Sequence, residues 1–313
     1  MPFNAFKTVD NYAHIQDLEA LRTSFMMWVD WCFADIGAYM NFNINTSGAY
    51  GGTFSQLRPA SDPRYTTGQV WEAPRSNFVW ESGTSIGTPI DISGVYVNNV
   101  FYPTSGNINQ HYVDYPNGRV IFTSGVPTTS TVRLEYSAKH IRVMDANDIP
   151  VFRQTQFSSY RVDSPGFLKS SGLWSQLPES RVQFPILAVD ISSRTHKAFE
   201  IGNSSLDMFT NINCHVFAEN LSDAQRISNT LGLQKDTSFY LVRFNDLAQS
   251  GVNILDYRGT KTNDTMTYPE VVAADSPYRY YPVRISDTNI QEQQSFGPDL
   301  YKITTRLVAE VIL

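Results

Sequence analysis

Phe25-Met26-Met27-Trp28-Val29-Asp30-Trp31-Cys32-Phe33 is the stretch on which the fold turns. It lies inside a segment, Ile15 to Met40, that holds no proline and only one glycine, Gly37, near its end. That composition predicts one long helix. Leu18, Leu21, Phe25, Trp28, Cys32, Ile36 and Tyr39 recur at intervals of three and four and mark one helical face. Met26, Met27, Trp31 and Phe33 add apolar surface off that face. A helix on a single sheet needs one stripe, so this one is expected to be covered from more than one side, by its own chain or by a neighbouring subunit. A broad apolar helix in a chain without a catalytic motif points to assembly before chemistry.

Outward from the helix, the rest of the 313 residues reads as β-rich. Charged residues make up only 17 %, and aromatic side chains 13 %, a mixture that suits pleated surfaces joined by polar loops. The length is enough for two or three cores. Residues 1–44 are read as an arm and the long helix, and 45–70 as an extended connector rich in Gly, Ser, Thr and Pro. A β module follows at 71–143. In it Val95-Tyr-Val-Asn-Asn-Val-Phe-Tyr turns at Asn98-Asn99, since Asn tolerates the left-handed backbone of a tight hairpin. A second hairpin turns at Pro116-Asn117-Gly118. Thr131 to Ser137 alternates, with Val132, Leu134 and Tyr136 on one face. Short, closely spaced strands of this kind suggest a small antiparallel sandwich or barrel.

Residues 144–180 lose all periodicity and read as an extended strap. The C-terminal module, 181–313, is α+β. Strands are expected at 184–191, 213–218 and 239–244, and a short helix capped by Ser222 with Gln225 in a capping box and Gly232 at its stop. The last strand, from about Tyr301, places Ile303, Leu307, Ala309 and Val311 on one face and needs pairing partners. The fold class is therefore α+β and strand-rich: a long N-terminal helix, a central β module and a C-terminal α+β module.

Chemistry is conspicuous by its absence from the sequence. There is no nucleophile elbow, phosphate loop, dinucleotide glycine pattern, zinc-protease helix or Cys-x-x-Cys. The five histidines are scattered, and only His196 and His215 share a module. Asp145, Asn147 and Asp148 lack the spacing of a calcium loop and read as a turn. Asp114, beside Tyr112 and Tyr115, reads as hairpin chemistry. Hence no enzyme activity, cofactor or metal is expected. Cys32 and Cys214 read as small buried hydrophobes. A balance of 24 basic and 30 acidic residues, net −6, excludes a broadly basic nucleic-acid footprint, leaving Arg142, Arg153 and Arg161 as local candidates. The start lacks the order of a secretion signal, and Asp30 and Asp35 interrupt an apolar run too short to span a bilayer. A soluble protein made in a reducing cytoplasm is expected.

Candidate interface residues are the large side chains of the helix, Phe25, Trp28 and Trp31, the loop-borne Trp71, Trp80 and Trp174, and Tyr301 and Leu307 of the last strand. Trp71, Trp80 and Trp174 also admit a second reading, as platforms for sugar rings.

His111-Tyr-Val-Asp-Tyr-Pro-Asn-Gly-Arg-Val-Ile-Phe, with the Val95 hairpin before it and Val132-Arg-Leu-Glu-Tyr-Ser after it, resembles a β module of virion structural proteins of tailed bacteriophages. Ile186-Leu-Ala-Val-Asp-Ile, Phe199-Glu-Ile-Gly-Asn and His215-Val-Phe-Ala-Glu-Asn resemble neck and tail-completion proteins of such phages. The resemblance extends over about half the chain. The resemblance implies a homo-oligomeric ring of six or twelve copies, a head–tail connector touching portal, neck or tail proteins. DNA would pass through its channel without sequence-specific binding. A collar, baseplate or decoration subunit, or a carbohydrate-binding host-recognition module, are the alternatives. The place of action would be the virion, with no membrane involved.

Overall fold

The structure is a computed structural model that describes residues 18–44, 54–148, 183–198, 206–252, 254–295 and 300–312. The N-terminal arm, the first turn expected at Ile15, the connector up to 53, most of the strap with Arg153, Arg161 and Trp174, and the Phe199–Asn203 stretch lie outside the described residues. The fold is α+β with strands dominating.

Helix α1 spans Leu18–Asp35. It ends sooner than the apolar pattern predicts, because Gly37 takes a left-handed φ of 81°. The amide of Ala38 donates to the Phe33 carbonyl (2.9 Å) and that of Gly37 to the Ala34 carbonyl (3.0 Å), the paired bonds of a Schellman stop. Tyr39–Phe42 then forms strand β1 instead of a last helical turn. The buried ridge also differs from the expected face. It runs through Leu21, Phe25, Val29 and Phe33, while Leu18 and Ile36 are exposed.

The β module is built from short strands: β2 (Arg58–Pro59), β3 (Val70–Glu72), β4 (Gly94–Val97), β5 (Val100–Pro103), β6 (His111–Asp114), β7 (Arg119–Phe122), β8 (Val132–Arg133) and β9 (Tyr136–Lys139). They form a four-stranded sheet β2-β3-β7-β6, a three-stranded sheet β5-β4-β8 and the pair β1-β9. One core, including Phe42, Leu57, Trp71, Phe78, Phe122, Leu134 and Tyr136, lies between them. Asn98 and Asn99 both take positive φ, 50° and 66°, and close the β4–β5 hairpin with Val97 opposite Val100. Gly118 (φ 66°) closes β6–β7, and a Cβ there would stand 2.5 Å from the Ser76 Cα. Val132, Leu134 and Tyr136 share the core as their alternation requires.

The second core lies in a six-stranded sheet of β10 (Arg142–Asp145), β11 (Ile186–Ala198), β12 (Leu206–Ala218), β13 (Ser238–Val242), β14 (Arg279–Ser295) and β15 (Tyr301–Ile312). Its order is β10-β11-β12-β15-β14-β13, with β10 parallel to β11 and every other neighbour antiparallel. Helix α2, Leu221–Gly232, buries Ala224, Ile227 and Leu231 over the middle strands β12, β14 and β15. Its cap is Asn220, whose side chain accepts from the Asp223 amide, instead of Ser222. Gly232 is its last helical residue, and the cap residue Leu233 keeps a right-handed backbone, so no left-handed stop is used.

The placement of α1 explains its composition. It touches β10 and β11 at one end of the sheet and β13 at the other, so the sheet curls into a half-barrel that α1 closes. The Leu21–Phe33 ridge enters the curl. The opposite flank, Met27, Trp28 and Trp31, packs on Val242, Leu247, Tyr268 and Val271. The latter residues come from β13 and from two short helices, α3 (Phe244–Gln249) and α4 (Tyr268–Val271). Cover on more than one side thus comes from the helix's own chain. Ser24, fully buried on α1, accepts the Val242 amide at 3.0 Å, beside a register shift in β13. The outer edge of β13 is partly closed by Tyr268, whose hydroxyl accepts the Tyr240 amide (2.9 Å) and donates to its carbonyl (3.0 Å).

Candidate functional site

Two concavities stand out. The smaller, about 190 Å³, lies where α1 meets the β module, with Met27, Trp31, Trp80 and Tyr268 around an ion cluster. Lys139, at the end of β9, donates to Asp30 of α1 and to Glu81 of the loop after β3, each at 2.5 Å. The lysine and Glu81 side chains are only 4 % and 2 % exposed, whereas Asp30 reaches solvent. Burial alone would lower the lysine pKa, but the two carboxylates hold it above its ordinary value. Burial raises that of Glu81, with Lys139 opposing. A lysine kept cationic in this way is no nucleophile, because nucleophilic chemistry needs the free amine. The cluster therefore ties α1 to the β module.

The larger concavity is an open cleft of about 840 Å³ between the β6–β7 hairpin and a loop at 254–262. The loop docks on the hairpin: the Tyr115 amide donates to the Gly259 carbonyl (3.0 Å) and the Thr260 hydroxyl to the Val113 carbonyl (2.9 Å). Tyr65 and Tyr112 share a hydroxyl–hydroxyl bond of 2.7 Å. The Arg258 guanidinium lies 5.1 and 5.0 Å from the ring centres of Tyr112 and Tyr257. Asp114 accepts from the Asn117 amide and side chain, which confirms hairpin chemistry, and burial raises its pKa. No spacing in the sequence announces this cleft, since residues 65, 112 and 257 come from three distant segments.

The candidate interface residues fall differently. Phe25, Trp71 and Leu307 lie in the chain's own cores and leave no surface for a neighbour. Trp71 also donates its indole N–H to the Gly68 carbonyl at 2.9 Å, so it is no sugar platform. Trp28 stacks on Phe239 at 5.3 Å. Trp31 and Trp80 line the small concavity, Trp80 with the Lys139 ammonium 5.7 Å from its ring. Tyr301 packs half-buried against the sheet core, and Trp174 lies outside the described residues.

Other polar candidates are equally plain. Asp145 pairs with Arg22 (2.9 Å) and accepts the Asn147 amide. His215 is buried against the Thr304 hydroxyl, and burial, with Lys302 nearby, lowers its pKa to about 4. Cys214 is buried, and Cys32 is half-buried with its thiol pushed up to about 12 by burial and by Asp35. Among the described residues no three His, Cys, Asp or Glu side chains stand together as a metal site, and no helix is long and apolar enough to cross a membrane. Compared with known proteins, the chain matches no family model and no curated sequence.

Proposed function

We propose that this chain is a structural subunit of a virion, repeated in a closed ring at the neck of a tailed bacteriophage, where it joins head to tail around a DNA channel. A ring is held by head-to-tail contacts in which one patch meets a different patch on the next copy. The observation that carries the reading is the presence of two such unlike apolar patches in different modules. The β4–β5 hairpin and the loop after it expose Val100, Phe101 and Ile108, the last at 82 %. The other joins Leu233, 80 % exposed just past α2, to Ile290 of β14, which lies beside Gly232. Large apolar side chains exposed in two separate modules support surfaces that meet partners. The net charge of −6 supports a lumen that lets DNA slide, since tight phosphate contacts would hold it.

The test is the mass of the purified chain by native mass spectrometry and sedimentation. A closed hexamer or dodecamer is expected. Ile108→Glu and Leu233→Glu should each open the ring, and an equimolar mixture of the two should stop at dimers, because only one pair of intact patches remains. A chain that stays monomeric at every concentration overturns the proposal.

A further inference from the structure

We propose that the cleft between the β6–β7 hairpin and the 254–262 loop binds a neutral oligosaccharide, an activity independent of ring assembly. Tyr257 is 88 % exposed, yet it is not free to swing. Its hydroxyl accepts from the Arg258 Nε at 2.7 Å, and the guanidinium lies against its ring. The loop beneath is fixed as well: the Asp256 carboxylate accepts the amides of Arg258 (2.9 Å) and Thr260 (2.8 Å). An aromatic face held rigid in water offers stacking area at little cost in entropy. The apolar C–H face of a sugar ring is the surface that fits it.

The polar groups around that face suit hydroxyls. Arg258 spends only its Nε, and its terminal N–H groups make no hydrogen bond among the described residues. The guanidinium lies 5.1 and 5.0 Å from the ring centres of Tyr112 and Tyr257, and its planar fork suits paired recognition of two adjacent oxygens. The Tyr65–Tyr112 hydroxyl pair has one bond between two groups that can each donate and accept, so donor and acceptor capacity remains. Asp114 and Asn117 line the same wall, bonded to each other.

Charge selects the ligand class. Arg64 is bound by Asp62 (2.7 Å) and faces Asp114, and Asp256 sits near Arg258. The cleft therefore has no surplus of positive charge with which to prefer a phosphate or a nucleic-acid strand. A volume of about 840 Å³ takes a short oligosaccharide.

The experiment is a glycan array spanning neutral hexose, N-acetylhexosamine and deoxyhexose oligosaccharides, with acidic glycans and a short oligothymidylate beside them. Calorimetry follows on the tightest binder, using the chain in whatever assembly it forms, so that a failed ring and a failed glycan site are told apart. One neutral glycan site per chain is expected. Tyr257→Ala and Arg258→Gln should each weaken it by about tenfold or more. Both side chains are exposed, so melting should not change. Absence of any neutral binder, preference for an acidic glycan or oligothymidylate, or binding that survives both substitutions overturns the proposal.

Discussion

Replacing Lys139 with methionine keeps most of the side-chain volume and removes the one cation between Asp30 and Glu81. Asp30, with about a quarter of its side chain exposed, can turn to water. Glu81, at 2 %, cannot, so the cost falls on it. Stripping one partner from a buried pair costs about 3–5 kcal/mol. The loss has a ceiling, because Glu81 can take up a proton instead. Protonation costs about 1.4 kcal/mol for each pH unit above the ordinary carboxyl value. From the ordinary 4.5 of glutamate, the ceiling is about 5 kcal/mol at pH 8, about 3 at pH 7 and just over 1 at pH 5.5. The sign follows from linkage: folded Glu81 holds its proton more tightly than the unfolded chain does, so the variant regains stability as pH falls. Urea unfolding of wild type and Lys139→Met at the three pH values measures this. Lys139→Met/Glu81→Gln should erase most of the pH dependence. A loss below about 1 kcal/mol at pH 8, or one equal at all three pH values, refutes the reasoning.

Four further outcomes are expected. Asn99→Val should cost about 1–2 kcal/mol in thermal melting, because a β-branched residue resists φ 66°, whereas Asn99→Gly should cost nothing. Trp28→Ala should lose roughly 3 kcal/mol in urea unfolding through its stack on Phe239. His215, lowered to about 4 by burial, should stay neutral in an NMR titration through pH 5.5. Its contribution, complete above the ordinary 6.5, should be lost as pH falls from there toward 4, up to about 3 kcal/mol. Deleting residues 305–312 should abolish cooperative unfolding, since the segment pairs with both β12 and β14.

The elements that the sequence reveals are those whose period is unbroken. The Asn98-Asn99 hairpin, the Val132–Tyr136 alternation and the face of β15 stand in the structure as the spacing implies. Strand β14 stayed invisible despite its 17 residues. Its pairing with β15 shifts register between Ile285 and Asp287 and again between Ile290 and Glu292, and each shift reverses which side chains face inward. Pro282 and a polar second half hide it further. Helix α1 was legible as broadly apolar, but which ridge goes inward depends on the curl of a sheet formed 150 residues later. The same limit applies to both sites. Asp30 reads as an interruption until Lys139 is brought beside it, and the tyrosine cleft exists only after the 254–262 loop docks on a hairpin of another module.

The order β10-β11-β12-β15-β14-β13 has a consequence for synthesis on the ribosome. The strand that fills the middle of the sheet is the last of the six to be made. Until it emerges, β12 and β14 have no common neighbour, and the half-barrel that α1 closes does not exist. The β module can collect its own short-range hairpins during translation, since nearly all its strands lie between residues 58 and 139. Helix α1 depends on elements that follow it in the chain. Phe25, Trp28 and Trp31 emerge before the strands and short helices that bury them, an interval in which exposed apolar surface recruits chaperones or aggregates.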